Sequence, residues 1–140
     1  MSRIFWDTNL FIYLMEGTGE RAERVALLGD RMFDRGDQLA TSALTLGELL
    51  VKPVEKRDLA LQARYEEVLS TRAMLIPFDR AAAKIYAAIR QDRGIAPPDA
   101  IQLSCAAAAG VDLFITNDER LSRKMVPGVQ FISSLERSFL

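Results

Sequence analysis

Histidine is absent from this chain of 140 residues, and cysteine occurs once. Without histidine the chain cannot form a Ser-His-Asp or Cys-His catalytic arrangement, and one cysteine leaves too few ligands for a standard zinc site. A single cysteine cannot form a disulfide within the chain. Because Cys105 lies in an alanine-rich apolar segment, we expect it to be small, inert and buried. Catalysis by this chain would therefore have to rely on carboxylates.

The sequence also lacks a strong excess of either charge and a long apolar run. Its 18 basic and 19 acidic residues give a formal net charge of -1. Many nucleic-acid-binding domains are strongly basic, so a nucleic-acid substrate would need local basic patches or metal ions here. No apolar run approaches the ~18 residues of a membrane span, and the N-terminus has no signal-peptide pattern. We expect a cytoplasmic protein without a membrane anchor, folded as a single domain over residues 1–140.

Short apolar runs alternate with longer segments of helical periodicity. The apolar runs predict five strands, over residues 4–6, 38–41, 74–77, 113–116 and 129–132. The segments between them predict helices over residues 8–15, 20–35, 43–52, 56–71, 80–93 and 99–109, with short helices over 119–124 and after Ser133-Ser134. Strands separated by helices of these lengths predict a parallel α/β sandwich with right-handed crossovers.

Some helix boundaries are marked by residues that favour helix ends. Ser42 and Asp79 are suited to cap the helices that follow them, and Ser133-Ser134 to cap the last helix. Pro53 is expected to end the helix over residues 43–52, because the residue before a proline is disfavoured in helical conformation.

Four acidic residues lie where an α/β fold places its ligand sites. Asp7 directly follows the first predicted strand and Asp118 closely follows the fourth, and ligands bind beyond the carboxyl ends of such strands. Glu48 lies at the edge of the apolar face of its helix, and Asp99 lies in the first turn of another helix. Both helices can lean over the same edge of the sheet.

Each of these acids also has an ordinary structural explanation when it is taken alone. Asp7 can cap the next helix, Asp99 can interact with a helix dipole, and Asp118 can form a turn. Glu48 can pair with Lys52 one helical turn later, which is worth only ~0.2–0.5 kcal/mol. The coincidence of four acids at one edge favours a shared site, because four independent caps need no common edge.

Four carboxylates within a few ångströms repel one another, so they either take up protons, with raised pKa values, or bind a cation. A ligand set of oxygen atoms alone suits Mg²⁺ or Mn²⁺. Two such ions ~3.5–4 Å apart can activate an attacking water and stabilise the leaving oxygen of a phosphodiester. The chemistry suggested is metal-dependent phosphodiester hydrolysis, which needs no histidine.

The order of these motifs resembles the PIN-domain family and, within it, the small VapC-like ribonuclease toxins of toxin–antitoxin pairs. The resemblance covers nearly the whole chain, and its most specific segments are Asp7-Thr8-Asn9, Thr45-Leu46-Gly47-Glu48-Leu49, Asp99-Ala100-Ile101 and Thr116-Asn117-Asp118. The chain departs from many relatives at Pro97-Pro98, Gln102 and Ser104. Gln102 lies on the same face as Asp99, three residues later, where it could enter the site or alter the substrate groove.

The resemblance implies a three-layer α/β/α fold with a five-stranded parallel sheet in the order 3-2-1-4-5. It implies metal-ligand and catalytic roles for Asp7, Glu48, Asp99 and Asp118, with Asp118 acting through water. It also implies supporting roles for Thr8, Asn9, Thr116 and Asn117. The expected cofactor is Mg²⁺ or Mn²⁺, and the expected partners are an RNA substrate, a second copy of the chain and a cognate antitoxin that fills a groove formed by the early helices.

The leading hypothesis is therefore an RNA endonuclease, with RNA contacts from basic residues such as Lys52, Arg120, Arg123 and Lys124. One alternative is a PIN-like scaffold that binds RNA or a partner without cutting. Another is a Mg²⁺-dependent phosphatase or phosphoacceptor of the haloacid-dehalogenase or receiver type. Those phosphatases need Asp-x-Asp, whereas Asn9 occupies the third place here, and the paired acid of receivers is absent.

Overall fold

Five parallel strands form one sheet in the order β3-β2-β1-β4-β5. The structure is a computed structural model and describes residues 1–138. The strands are β1 (Arg3–Trp6), β2 (Gln38–Ser42), β3 (Met74–Ile76), β4 (Leu113–Thr116) and β5 (Ile132–Ser134). The predicted sheet order and parallel pairing are confirmed. Because the chain moves outward from β1 through β2 to β3 and then returns to the other side of β1, the order reverses between β1 and β4.

Six α-helices surround the sheet. They are α1 (Thr8–Glu16), α2 (Glu20–Arg35), α3 (Ala43–Glu55), α4 (Leu59–Arg72), α5 (Arg80–Ile89) and α6 (Pro97–Ala108), with short 3-10 turns at Leu121–Arg123 and Leu135–Arg137. On one face of the sheet, Phe5 and Phe114 stack with ring centroids 4.9 Å apart and pack with residues of α5 and α6. On the other face, Trp6 and Phe11 pack with residues of α1 to α4. These layers confirm the predicted α/β/α sandwich.

The central position of β1 explains its unbroken apolar run. Ile4, Phe5 and Trp6 are each 1% exposed or less, because a strand inside a parallel sheet is covered by helices on both faces.

No helix within residues 1–138 has the length and apolarity that a membrane crossing requires.

Small side chains allow α6 to pack closely. Its buried residues are Ala100, Gln102, Leu103, Ser104, Cys105 and Ala106. A Cβ atom at Gly128 would lie 3.0 Å from the Cβ of Ala107, so the chain after β4 also approaches this helix tightly. Cys105 is buried as predicted, and its burial raises the pKa of the thiol to about 11.

Three predicted helix ends are wrong by three residues or more. Pro53 does not end α3, which continues to Glu55. Pro53 is buried in the last turn, and its carbonyl accepts the N–H of Asp58 at 2.9 Å. Helix α4 starts at Leu59 rather than residue 56, because Arg57 has a φ of 52° and Asp58 caps the helix. Helix α5 ends at Ile89 rather than residue 93, because Asp92 forms a turn by accepting the N–H of Gly94.

The last predicted strand is also misplaced, since β5 spans Ile132–Ser134 rather than residues 129–132. Val129 instead donates its N–H to Val126 in a tight loop, where both side chains are buried. Ser133 and Ser134 pair with β4 and do not form a side-chain cap. The short helices predicted after β4 and β5 are 3-10 turns of three residues each.

The predicted cap at Asp79 gives a direct test of local stability. Its Oδ1 accepts the N–H of Ala82 at 3.0 Å, so Asp79→Ala should lower the free energy of unfolding by about 1 kcal/mol. Urea titration followed by circular dichroism measures the change. Asp30→Ala, an exposed position in α2, is the control and should change the free energy by less than ~0.5 kcal/mol. Equal losses in the two variants would contradict a capping role.

Candidate active site

Asp7 lies at the carboxyl end of β1, beside the point where the strand order reverses. Its backbone N–H bonds the carbonyl of Ile115 at 3.0 Å and extends the pairing with β4. One carboxylate oxygen, Oδ1, accepts the N–H of Thr8 at 2.7 Å, and the other, Oδ2, accepts the Thr116 hydroxyl at 2.9 Å. Asp7 is 8% exposed. It therefore caps α1, as one reading of the sequence suggested, while both of its oxygens are also held in fixed positions.

Burial raises the pKa of Asp7 from 3.8 to about 6, and the nearby charges of Asp99 and Glu48 also raise it. The hydrogen bonds from Thr116 and Thr8 act in the opposite direction. Burial likewise raises the pKa of Asp99, as do the charges of Asp118 and Glu48. The charge of Asp7 is therefore coupled to those of Asp99 and Glu48, and the charge of Asp99 to that of Asp118, although the four acids come from four separate segments of the chain.

Glu48 projects from α3 and is exposed, yet its carboxylate is held. Its Oε1 accepts the hydroxyl of Thr8 at 2.7 Å. Among the ion pairs within residues 1–138, none joins Glu48 to Lys52. The same threonine thus contacts two acids, since its backbone N–H donates to Asp7 and its side chain donates to Glu48.

Asp118 is fixed by the turn that follows β4. Its N–H donates to the Thr116 hydroxyl at 3.0 Å, and its Oδ1 accepts the N–H groups of Arg120 and Leu121 at 2.9 and 3.1 Å. These turn contacts alone give a structural reason for an aspartate at position 118. Thr116 links the turn to Asp7, because it accepts from Asp118 and donates to Asp7.

The remaining predicted supporting residues differ in their surroundings. Asn9 is exposed at the start of α1. Asn117 is half-buried, and its Oδ1 is a buried acceptor without a partner in the part of the chain that the structure describes. Buried polar atoms of this kind are usually satisfied by ordered water or a ligand. Thr8 and Thr116, in contrast, bond the acids directly.

A buried polar network under the acids was not foreseen. Thr8 Oγ1 lies 3.1 Å from Thr45 Oγ1, which lies 2.8 Å from Thr41 Oγ1. Gln102 Nε2 lies 2.9 Å from both Thr8 Oγ1 and Thr45 Oγ1. Ser42 was predicted to cap α3, but its hydroxyl donates to Gln102 Oε1. The signal in the sequence was glutamine within an otherwise small and apolar helix, because a buried amide needs hydrogen-bond partners.

The donor set fits a hydrated divalent cation. It consists of carboxylate oxygens, and ionisation of Asp7 is disfavoured by its surroundings, which a cation would reverse. Among residues 1–138, no three His, Cys, Asp or Glu side chains are close enough to hold one metal ion by themselves. Mg²⁺ commonly keeps several waters and binds one or two carboxylates directly, so a closed cage of protein ligands is not required.

The raised pKa of Asp7 predicts how stability depends on pH without metal. The native state binds a proton more tightly than the unfolded state, so the free energy of unfolding should fall as pH rises between 3.8 and about 6. The contribution of Asp7 is on the order of 3 kcal/mol. Urea titrations in EDTA at several pH values measure this slope for the wild type and Asp7→Asn.

Other carboxylates contribute to the slope in both proteins, so the difference between the two proteins isolates Asp7. We expect a flatter profile for Asp7→Asn and greater stability than wild type at pH 7.5. Asp30→Asn, which alters an exposed acid, should keep the wild-type slope. Identical profiles for wild type and Asp7→Asn would show that the surroundings of Asp7 do not disfavour its ionised form.

Comparisons with known proteins agree with this architecture. The family model described as PIN domain matches residues 4–125. Similar solved structures include VapBC2 from Rickettsia felis bound to a DNA fragment from its promoter, with 18% identity, a TM-score of 0.70, and coverage of 94% of this chain and 98% of that chain. DNA-bound VapBC from Salmonella typhimurium has 22% identity, a TM-score of 0.67, and coverage of 96% and 99%.

FitAcB from Neisseria gonorrhoeae is a third similar structure, with 26% identity, a TM-score of 0.60, and coverage of 82% of this chain and 87% of that chain. None of the curated proteins matches the sequence significantly. The family match extends from β1 through the turn after β4 and so includes all four acids. This chain belongs to the PIN domain family.

Proposed function

We propose that this chain is a Mg²⁺- or Mn²⁺-dependent endoribonuclease and the toxin of a toxin–antitoxin pair. The observation that supports this proposal best is the group of four electrostatically coupled acids at the switch point of a PIN domain. One or two of Asp7, Glu48 and Asp99 would bind the cation directly, and the remaining acids, Asp118 among them, would contact it through bound water. When bound, the cation supplies an activated water and stabilises the charge that develops on a phosphodiester.

The residues of the chain prepare the site for this reaction. Thr8 and Thr116 fix the two oxygens of Asp7, and Thr8 also orients Glu48. Such groups reduce the reorganisation needed during the reaction, because the carboxylates already have defined positions. Because burial raises the pKa of Asp7, a bound cation would stabilise the ionised form of this carboxyl.

RNA must approach a region that is strongly negative without metal. The charge of Arg120 reaches this region, since it partly offsets the burial and the neighbouring acids that raise the pKa of Asp99. Lys124, another basic residue of the same segment, is paired with Asp92 at 3.1 Å. We assign phosphate binding beside the site to Arg120.

The toxin role is supported by the likeness to structures described as VapBC and toxin–antitoxin complexes. In this role a cognate antitoxin would cover the groove along α2, which is lined by the exposed apolar residue Leu27 together with Arg24 and Arg31. We propose that the protein acts in the cytoplasm as a homodimer.

Loss of a metal-binding acid should abolish RNA cleavage. Asp7→Asn and Asp99→Asn should each reduce Mg²⁺- or Mn²⁺-dependent cleavage by more than the ~10–100-fold that loss of a supporting partner typically costs. A fluorescently labelled RNA, incubated with and without EDTA, provides the assay, and circular dichroism verifies folding. Asp30→Asn is the control acid and should cleave normally.

Undiminished cleavage in both variants would exclude the assigned site. A scaffold that binds RNA without cutting would show no cleavage in the wild type. Calorimetry with Mn²⁺ separates the two functions further, because an enzyme should bind Mn²⁺ and Glu48→Gln should weaken that binding, whereas a scaffold has no reason to bind metal.

Arg120→Gln should weaken RNA binding with little effect on stability. Removal of one phosphate contact to a single strand should reduce the slope of log affinity against log salt by about 0.7. Fluorescence anisotropy at several KCl concentrations, in an Asp7→Asn background that prevents cleavage, measures this slope. Lys124→Gln is the matched control, because its charge is already paired with Asp92. Equal salt slopes for Arg120→Gln and its parent would exclude the contact.

A further inference from the structure

Gln102 is a buried amide at the centre of the network below the acids. It is 1% exposed and lies on α6, three residues after Asp99. Its Oε1 accepts the hydroxyl of Ser42, and its Nε2 donates to Thr8 and Thr45, each at 2.9 Å. One side chain therefore joins α6 to the start of α1 and to the junction between β2 and α3.

These three segments are also the ones that contain three of the four acids. Asp7 immediately precedes Thr8, Glu48 follows Thr45 by less than one helical turn, and Asp99 is on α6 itself. The segments are distant in sequence, since Gln102 and Thr8 are 94 residues apart and Gln102 and Thr45 are 57 residues apart. The amide therefore acts as a cross-link between the supports of separate carboxylates.

The hydrogen bonds around Gln102 have defined donors and acceptors. The Nε2 atom of Gln102 has two protons and cannot accept a hydrogen bond, so it donates one proton to the Thr8 hydroxyl and one to the Thr45 hydroxyl. Thr8 gives its one hydroxyl proton to the Glu48 carboxylate, so the amide atom that faces Thr8 must be the nitrogen, and the amide oxygen accepts the hydroxyl of Ser42. Thr8 accepts from Gln102, and its single hydroxyl proton is then available for Glu48 Oε1 at 2.7 Å.

We propose that Gln102 is a positioning residue for the metal site. By donating to Thr8 and Thr45 from beneath, it directs the Thr8 hydroxyl toward Glu48 and fixes the spacing of Asp7, Glu48 and Asp99. This inference rests on the proposed function, because it assigns Gln102 a role in holding the same cation. Gln102 is not a catalytic residue, since its hydrogen bonds go to Ser42, Thr8 and Thr45 rather than to the carboxylates.

The first test is the Mn²⁺ affinity of the intact, metal-free chain, measured by calorimetry without RNA. Gln102→Met keeps the length of the side chain but removes its donors and acceptor. We expect a ~10–100-fold weaker affinity, the usual effect of removing a group that orients a ligand. Ser104→Ala is the matched control. Its hydroxyl is buried in the same helix but donates to Ile101, so Mn²⁺ affinity should remain at the wild-type value.

A double-mutant cycle distinguishes positioning through Thr8 from a general loss of packing. Thr8→Val removes the hydroxyl between Gln102 and Glu48. If Gln102 acts through that hydroxyl, Gln102→Met should change Mn²⁺ affinity less than twofold in the Thr8→Val background. Two independent structural effects would instead multiply. Multiplicative losses would overturn the proposal.

Ser42→Ala provides a milder variant in case Gln102→Met does not fold. It removes the hydroxyl that bonds the oxygen of the Gln102 amide and so loosens the amide, and we expect a several-fold lower Mn²⁺ affinity. Wild-type affinity in every variant that folds would overturn the role of Gln102 alone, whereas Asp7→Asn would still abolish RNA cleavage. A wild-type protein that binds no Mn²⁺ would overturn both the proposed function and this inference.

Discussion

The burial of the Asp7 carboxylate at the end of the central strand is the constraint on which the rest of the site depends. A carboxylate removed from water is unfavourable unless hydrogen bonds or a cation compensate for the lost hydration. Here the Thr8 N–H and the Thr116 hydroxyl satisfy one oxygen each. The nearby acids repel the negative charge of Asp7 and do not stabilise it. In the metal-free protein, Asp7 therefore favours uptake of a proton or a cation. Thr8 in α1 and Thr116 in β4 therefore also hold the carboxylate of Asp7 in place.

The layers of the fold hold this unfavourable arrangement in place. Phe5 and Trp6 anchor β1 to opposite faces of the sheet, so the strand end cannot relax toward solvent without disrupting two cores. Helix α6 approaches closely because its side chains are small, and this close approach brings the Gln102 amide within reach of Thr8 and Thr45. A larger apolar core at this point would leave no room for the polar network. The small side chains of α6 therefore allow both its close packing and the hydrogen bonds of Gln102.

Periodicity along the chain was sufficient to predict the layered α/β fold, because the apolar runs of β1 and β4 are long enough to stand out. The four acids were also identifiable, since each has a distinctive place relative to a strand or helix end. Local patterns failed where distant partners decide the structure. Pro53 is retained within α3 by its buried position, Val129 packs in a loop rather than a strand, and Ser42 bonds an amide 60 residues away instead of capping α3. No local pattern reveals such partners.

The hydrogen bond between Thr116 and Asp7 joins residues 109 positions apart, which has a consequence for biosynthesis. A chain emerging from the ribosome exposes Asp7 before Thr116, which becomes available only 109 residues later. Until β4 pairs with β1, one oxygen of Asp7 lacks its hydroxyl donor and the turn that contains Asp118 has no place beside it. Assembly of the acidic cluster therefore waits until β4 has been made, and nascent chains that stop before β4 lack it.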